Sequence, residues 1–164
     1  MKKRFFLLGG ASMIGVTFLS RYLPEKSKVM AASTESFEIT KTEEEWRNIL
    51  TPQEFEVLRQ QGTEPAYTSS LDREYGKGIY ACAGCELPLF SSETKFHSGT
   101  GWPSFFDPMP GAIATSVDNS LFTTRVEVHC RRCGGHLGHV FDDGPAPTGK
   151  RYCMNGVALK FIGG

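Results

Sequence analysis

The sequence predicts a mainly β domain that follows two short helices. From Gly78 onward, short apolar or β-branched segments are separated by Gly, Pro and Asp, and the chain contains 18 Gly and 9 Pro, as expected for a domain with many turns. From Thr124 to His129, β-branched residues alternate with charged or polar ones, which is the period of a strand with one buried face. The length of 164 residues leaves room for one such domain.

Residues 1–31 predict an export signal. Basic residues 2–4 precede an apolar run from Phe5 to Leu19, which is short for a membrane-spanning helix and suits the core of a signal peptide. Val29-Met30-Ala31 offers a cleavage point, and residues 3–7 are similar to a lysine variant of the twin-arginine motif. We expect the mature protein in the periplasm or another extracytoplasmic compartment. The alternative is an uncleaved N-terminal membrane anchor.

The charge balance of the remaining chain argues against a nucleic-acid partner. Residues 1–31 contain six basic residues and one acidic residue, which leaves 12 basic and 17 acidic residues and a net charge of about −5. Phosphates require a positive face, and the pair Arg131-Arg132 alone does not form one. Residues 32–40 are polar and without periodicity, so we interpret them as a linker before a domain at 41–164.

Two helix starts follow the linker. Thr42 with Glu45, and Thr51 with Glu54, each match the capping box, in which a threonine and a glutamate three residues later satisfy each other's backbone amides. Gly62 is expected to end the second helix. Six strand candidates come next: Gly78–Ala81, Ala112–Val117, Leu121–His129, Val140–Phe141, Tyr152–Met154 and Ala158–Ile162.

Four of the five cysteines form two Cys-x-x-Cys pairs, Cys82/Cys85 and Cys130/Cys133. Two such pairs can place four thiolates about 2.3 Å from one zinc ion, which is a common structural site. The pairs lie 44 residues apart, so the metal would join two distant turns. Two disulfides are the alternative in an exported protein, and a redox-active Cys-x-x-Cys is a further one.

Cys153 lies apart from both pairs and has chemically suggestive neighbours. A lone cysteine is often a buried filler, but Asn155 would share its strand face, and His136 and His139 stand among glycines beside Asp142-Asp143. Histidine commonly raises the thiolate fraction of a cysteine or carries protons. Metal binding by these histidines is an alternative, although four cysteines already fill a tetrahedral shell.

An aromatic turn, Gly101-Trp102-Pro103, precedes these segments. Gly and Pro constrain the loop that presents Trp102, so we expect this ring to form one wall of a pocket. Phe105 follows two residues after the turn, and we assign it to the same substrate site, with packing in the core as the alternative.

Together these segments resemble the methionine-R-sulfoxide reductases of type B. The resemblance covers about residues 40–162 and rests on four segments in the expected order: Cys82-Ala83-Gly84-Cys85, Gly101–Phe105, His129–Phe141 and Arg151–Asn155. It implies two antiparallel sheets in a β-tent or twisted sandwich, with a structural Zn²⁺ far from the reaction centre. It also implies Cys153 as nucleophile, and a substrate and proton-transfer shell of Trp102, His136, His139 and Asn155, with Asp143 assisting.

The residues suit that chemistry. A thiolate attacks the sulfoxide sulfur while an acid protonates the oxygen, and Cys153 and His139 would fill these roles, with help from His136 and Asn155. The S-methyl group would pack on Trp102, and Cys153 would become a sulfenic acid. Expected substrates are proteins or peptides with oxidised methionine, and the protein is expected to be a monomer.

The sequence departs from the family at Thr100, where many members carry a second, resolving cysteine. Every other cysteine is assigned to zinc, so regeneration must come from thioredoxin or another external thiol. Gly156, where Ser or Thr is common, is a smaller departure. A binding module on the same fold and an exported thiol–disulfide exchanger that uses Cys82/Cys85 are the alternative functions.

Overall fold

The computed structural model describes residues 36–120 and 123–164. The predicted export signal at 1–31 and the first part of the predicted linker lie outside these ranges. Among the helices within them, none has the length and hydropathy needed to cross a membrane.

Two capped helices begin the described domain, as the sequence predicts. Helix α1 spans Glu43–Ile49 and helix α2 spans Pro52–Gln60. In both, the threonine hydroxyl accepts a hydrogen bond from the glutamate backbone N–H, and the glutamate carboxylate accepts one from the threonine N–H. Gln61 takes the left-handed conformation at φ 56°, so α2 ends one residue earlier than Gly62 suggests.

Nine strands in the described ranges form two antiparallel sheets, which confirms the mainly β prediction. The small sheet has the order β2-β1-β9 and the large sheet the order β3-β4-β8-β7-β6-β5. The strands are β1 Gly78–Cys82, β2 Pro88–Ser91, β3 Lys95–Phe96, β4 Ser104–Phe105, β5 Ile113–Asp118, β6 Arg125–Cys130, β7 His136–Phe141, β8 Arg151–Met154 and β9 Leu159–Gly163.

Each of the six predicted segments overlaps a strand, but β2, β3 and β4 were not predicted. They contain two to four residues each, too few to display an alternating pattern. Within the predicted strand at Leu121–His129, β6 starts at Arg125, and residues 121 and 122 lie outside the described ranges.

Aromatic side chains join the two sheets in the core. Phe105 of the large sheet stacks on Phe90 of the small sheet, with ring centroids 4.4 Å apart, and meets Tyr80 edge-on at 4.9 Å. Trp46 and Leu58 of the helices are buried in the same cluster. The helices therefore contribute to the same core as the two sheets.

Candidate functional site

The four paired cysteines form one cluster. Their sulfur atoms all lie within 4.8 Å of one another, with 3.8 Å between Cys82 and Cys133 and 3.5 Å between Cys85 and Cys130. A tetrahedron with metal–sulfur bonds of about 2.3 Å has edges of about 3.8 Å, whereas a disulfide would bring two sulfurs to about 2.0 Å. The spacing fits one metal ion and is longer than the sulfur–sulfur bond of a disulfide.

The two turns that hold these cysteines share one geometry. Cys82 ends β1 and Cys130 ends β6, and each carbonyl accepts a hydrogen bond of 2.8 Å from the N–H four residues later. Those donors, Glu86 and Gly134, both have positive φ angles, 60° and 67°. A metal ion in the cluster would therefore join the small sheet to the β6–β7 hairpin of the large sheet.

A second group of polar residues runs straight across the large sheet. Strand register places Ser116 opposite Glu127, Glu127 opposite His139, His139 opposite Cys153, and Cys153 opposite Ser104. Directly opposed residues of an antiparallel sheet project from the same face with their Cβ atoms about 5 Å apart. We call these five residues the polar row. It places the candidate nucleophile beside a histidine and a serine.

Cys153 is half-buried next to a group of hydroxyls. Its sulfur lies 3.8 Å from Thr100 Oγ1, which lies 2.8 Å from Ser98 Oγ, and Ser98 Oγ lies 2.7 Å from Ser104 Oγ. Burial raises the pKa of the Cys153 thiol, and the hydrogen bond from Thr100 and the charge of Arg151 oppose that rise. Burial therefore favours the protonated thiol, and a neighbouring base would assist formation of the thiolate.

His139 is the titratable group opposite Cys153, and it is held by Asp118. Its Nε2 donates to Asp118 Oδ2 over 2.7 Å, and the same oxygen accepts from Arg125 Nη2 over 2.6 Å. Burial lowers the pKa of His139, and the bond to Asp118 opposes that shift. Hydrogen bonds from Ser120 and His139 hold the pKa of Asp118 far below its ordinary value. Since an ionised carboxylate only accepts, Nε2 carries the proton and leaves Nδ1 as the acceptor of the neutral ring.

His136 forms a second histidine–carboxylate pair, with Glu127, next to His139. Its Nδ1 donates to Glu127 Oε1 over 2.7 Å, and the two histidine rings lie 5.4 Å apart. Bonds from His136 and Ser116 lower the pKa of Glu127 to about 2. His136 therefore lies beside His139 but does not line the cavity at Cys153.

That cavity has a volume of about 120 Å³ and combines aromatic walls with polar groups. Its lining contains four residues named from the sequence: Trp102, His139, Cys153 and Asn155. Sequence reasoning missed Thr63, Arg125 and Phe141, which complete it together with the backbone of Gly138. Arg125 falls within the alternating segment, where its charge alone suggested a solvent-facing residue.

Trp102 and Asn155 are both held by the backbone after α2. The Trp102 indole Nε1 donates to the Glu64 carbonyl over 3.0 Å, and Asn155 Oδ1 accepts from the Glu64 N–H over 3.0 Å. Asn155 Nδ2 donates to the Leu137 carbonyl over 3.1 Å. The half-buried indole is thereby fixed as a wall of the cavity, as the sequence suggests.

The structure places two residues that the sequence assigned to the site, Phe105 and Asp143, outside the cavity. Phe105 is fully buried and stacks on Phe90, on the face of β4 opposite Ser104, so it belongs to the core and not to the cavity. Asp143 lies outside the cavity lining, and its exposed carboxylate receives two bonds of 2.8 Å from the Arg151 guanidinium. Any influence of Asp143 on Cys153 would pass through Arg151.

A family match and several named relatives of this chain agree with one another. The SelR domain family matches residues 50–163. The peptide methionine sulfoxide reductase MsrB of Methanosarcina barkeri is 56% identical over 124 residues, which cover 75% of this chain and 87% of that protein. The protein of the same name from Leptospira interrogans is 50% identical over 127 residues, covering 77% and 97%. The chloroplastic peptide methionine sulfoxide reductase B2 of Arabidopsis thaliana is 51% identical over 125 residues, covering 75% and 61%.

Proposed function

The chain belongs to the SelR-domain family and is a peptide methionine sulfoxide reductase, and on that premise we propose that Cys153 reduces the R diastereomer by direct attack on the sulfoxide sulfur. The observation that carries the proposal is the strand register, which sets Cys153 directly opposite His139 at a cavity walled by Trp102. The substrates are proteins and peptides with oxidised methionine.

The first step activates the thiol. Burial favours the protonated form of Cys153, and Nδ1 of neutral His139, the residue opposite Cys153 in the strand register, accepts that proton. The imidazolium so formed is stabilised by Asp118, which is ionised and already bonded to Nε2. Positioned acid–base groups of this kind contribute about 10²–10⁴-fold to rate.

The second step transfers oxygen. The Cys153 thiolate attacks the sulfoxide sulfur while His139 returns its proton to the sulfoxide oxygen. The attack forms a sulfur–sulfur bond, and the hydroxyl then transfers from the substrate sulfur to the Cys153 sulfur. The substrate sulfur loses its bonds to oxygen and to Cys153 in this transfer, so methionine leaves with its sulfur reduced by two electrons and Cys153 becomes a sulfenic acid. The S-methyl group packs on Trp102, and this contact selects the diastereomer whose sulfur faces Cys153.

The third step needs an external thiol. Thr100, not a cysteine, lies 3.8 Å from the Cys153 sulfur, and the other four cysteines belong to the metal cluster. A thioredoxin-like protein or a small thiol therefore attacks the sulfenic sulfur, releases water and forms a mixed disulfide. A second thiol then frees Cys153.

The ion of the cluster is Zn²⁺ in a structural role. Support comes from four cysteine ligands at tetrahedral spacing, a donor set that zinc favours. The polar row and its cavity include none of these cysteines, so the ion stabilises the fold and takes no part in oxygen transfer.

We also propose that the protein is exported. The basic start, the apolar run and the cleavage point in residues 1–31 support export. Fractionation of cells that carry the full chain, compared with a chain starting at residue 32, tests this: export requires the full chain alone to reach the extracytoplasmic compartment. Retention of an intact full-length chain in the membrane would favour the anchor.

Turnover of separated peptide diastereomers tests the main proposal. With dithiothreitol as reductant, the R sulfoxide should be reduced and the S sulfoxide should remain, and alkylation of Cys153 should stop the reaction. Equal reduction of both diastereomers, or activity that survives alkylation confirmed by peptide mapping, would contradict the proposed site.

A further inference from the structure

Glu64 connects two walls of the cavity that are far apart in the sequence. Its backbone carbonyl accepts the Trp102 indole N–H, and its backbone N–H donates to the Asn155 side chain, both over 3.0 Å. The two contacts link positions 38 and 91 residues away. Both side chains therefore depend on where the backbone of this loop lies.

The carboxylate of Glu64 fixes that backbone. One oxygen accepts the N–H of Gly156, and the other accepts the N–H of Val157 over 3.1 Å. These are the two residues directly after Asn155. The Glu64 side chain therefore clamps its own loop onto the turn that follows Asn155, and the Glu64 backbone holds the Asn155 side-chain amide. Bonds between a carboxylate and backbone N–H groups are among the stronger ones in proteins.

The loop that carries Glu64 approaches the turn after Asn155 closely at Gly156. A Cβ at Gly156 would lie 1.9 Å from Ser69 Oγ and 3.1 Å from Glu64 Oε1, so the turn and the loop are in close contact. Glu64 itself is half-buried. Cys153 and His139, in contrast, are positioned by strand pairing, and no hydrogen bond of the described residues joins either of them to Glu64.

We propose that Glu64 is a positioning residue that sets the Trp102 indole and the Asn155 amide for substrate binding. The inference rests on the proposed function. Because Glu64 contacts the walls of the cavity and not Cys153 or His139, its loss raises KM more than it lowers kcat. A displacement of about 1 Å in a positioned group can cost about 10²-fold, which bounds the expected effect.

Kinetics of Glu64→Ala, Glu64→Gln and Glu54→Gln test the inference. The alanine variant should lower kcat/KM for a peptide R sulfoxide by about 10–100-fold, mostly through KM. The glutamine variant keeps one acceptor oxygen and should recover part of the loss. Glu54 is the matched control, because its carboxylate also accepts a backbone N–H, from Thr51 over 2.7 Å, outside the cavity. Glu54→Gln should lower thermal stability and leave KM unchanged.

A spectroscopic measurement separates this inference from the proposed function. The chain contains two tryptophans, Trp46 and Trp102, so two indole N–H signals are expected in a ¹⁵N-labelled sample. Glu64→Ala should move the signal of Trp102 and leave that of buried Trp46 in place. If the wild-type protein did not reduce sulfoxide, the proposed function would be refuted. The indole signals would still show whether Glu64 positions Trp102, because they do not depend on activity.

The inference is overturned if the Trp102 signal does not move in Glu64→Ala and KM stays within twofold of the wild type. It is also overturned if Glu54→Gln raises KM as much as Glu64→Ala does, because the effect would then reflect general loss of stability. Should the alanine variant fail to fold, the same comparison holds between Glu64→Gln and Glu54→Gln.

Discussion

Cysteine serves two purposes in this protein, and the surroundings of each cysteine decide which one. In the metal cluster, each cysteine has other sulfurs as its neighbours, and two turns of matching geometry fix their spacing. Cys153 instead lies opposite a histidine, beside hydroxyl groups, at an accessible cavity. Four thiols directed at one point form a structural site, whereas one thiol with a proton acceptor and space for a substrate forms a reactive one.

Replacing the reactive sulfur should have the largest effect on activity. Cys153→Ser should abolish sulfoxide reduction, because a hydroxyl does not replace the thiolate as a nucleophile toward sulfur. Metal content and thermal unfolding should match the wild type, since the cluster does not include Cys153. Retention of even about a tenth of wild-type turnover would contradict its role as the attacking atom.

Replacing a cluster sulfur should instead act on stability. Cys82→Ser or Cys130→Ser should lose the bound ion and strongly lower the melting temperature, because zinc binding of about 10–16 kcal/mol in small domains is folding energy. Metal analysis with calorimetry measures both effects, and Cys153→Ser is the matched control. A native protein without metal and with two disulfides would refute this half of the comparison.

Removing the proton carrier should slow chemistry without unfolding the protein. His139→Gln should reduce turnover by about 10²-fold or more, and Asn155→Ala should have a smaller effect, because its amide contacts backbone groups. Single-turnover rates across neutral pH provide the measurement. A His139→Gln rate close to that of the wild type would contradict the role of His139 as the proton carrier.

Removing the partner of His139 should give a moderate, pH-dependent effect. Asp118 raises the pKa of His139 against the effect of burial, so Asp118→Asn should lower that pKa further. The imidazolium then forms only at lower pH, and the rate at neutral pH should fall by about tenfold or less while the pH profile moves to the acidic side. Asp142→Asn, at an exposed carboxylate paired with Lys150, is the control and should not move the profile.

The smallest effect on rate concerns the hydroxyl next to Cys153. Thr100→Cys should change the product of one turnover from a trappable sulfenic acid to a disulfide with Cys153, because Thr100 Oγ1 already lies 3.8 Å from that sulfur. Peptide mapping after one equivalent of sulfoxide distinguishes the products, with Thr100→Ser as control. In the wild type, a disulfide between Cys153 and a cluster cysteine, together with released metal, would show that the cluster cysteines take part in the reaction.

Local signals were enough to predict much of this molecule. The capping boxes of Thr42 and Thr51 and the two cysteine pairs each depend on residues three apart, and the structure confirms the helices and the cluster. The mainly β fold followed from turn residues and from alternation in the longer strands.

The rest depends on pairing between distant segments. Asp118 and Glu127 support the histidines only because β5, β6 and β7 align in one register, which no local pattern specifies. Phe105 shows the same limit: β4 has two residues, so one faces the cavity side and the other faces the core, and the sequence does not show which. Glu64 reaches its partners 92 and 93 residues away.

The polar row makes activity a measure of correct strand alignment. Side chains alternate across a strand, so a slip of one residue in β7 would replace His139 by Gly138 or Val140 opposite Cys153 and send the imidazole to the other face. No pairing of β7 and β8 that is shifted by one residue keeps His139 opposite Cys153. Changes in loop length between β7 and β8 should therefore be tolerated, whereas deletion of a single residue inside either strand should abolish catalysis even in a chain that still folds.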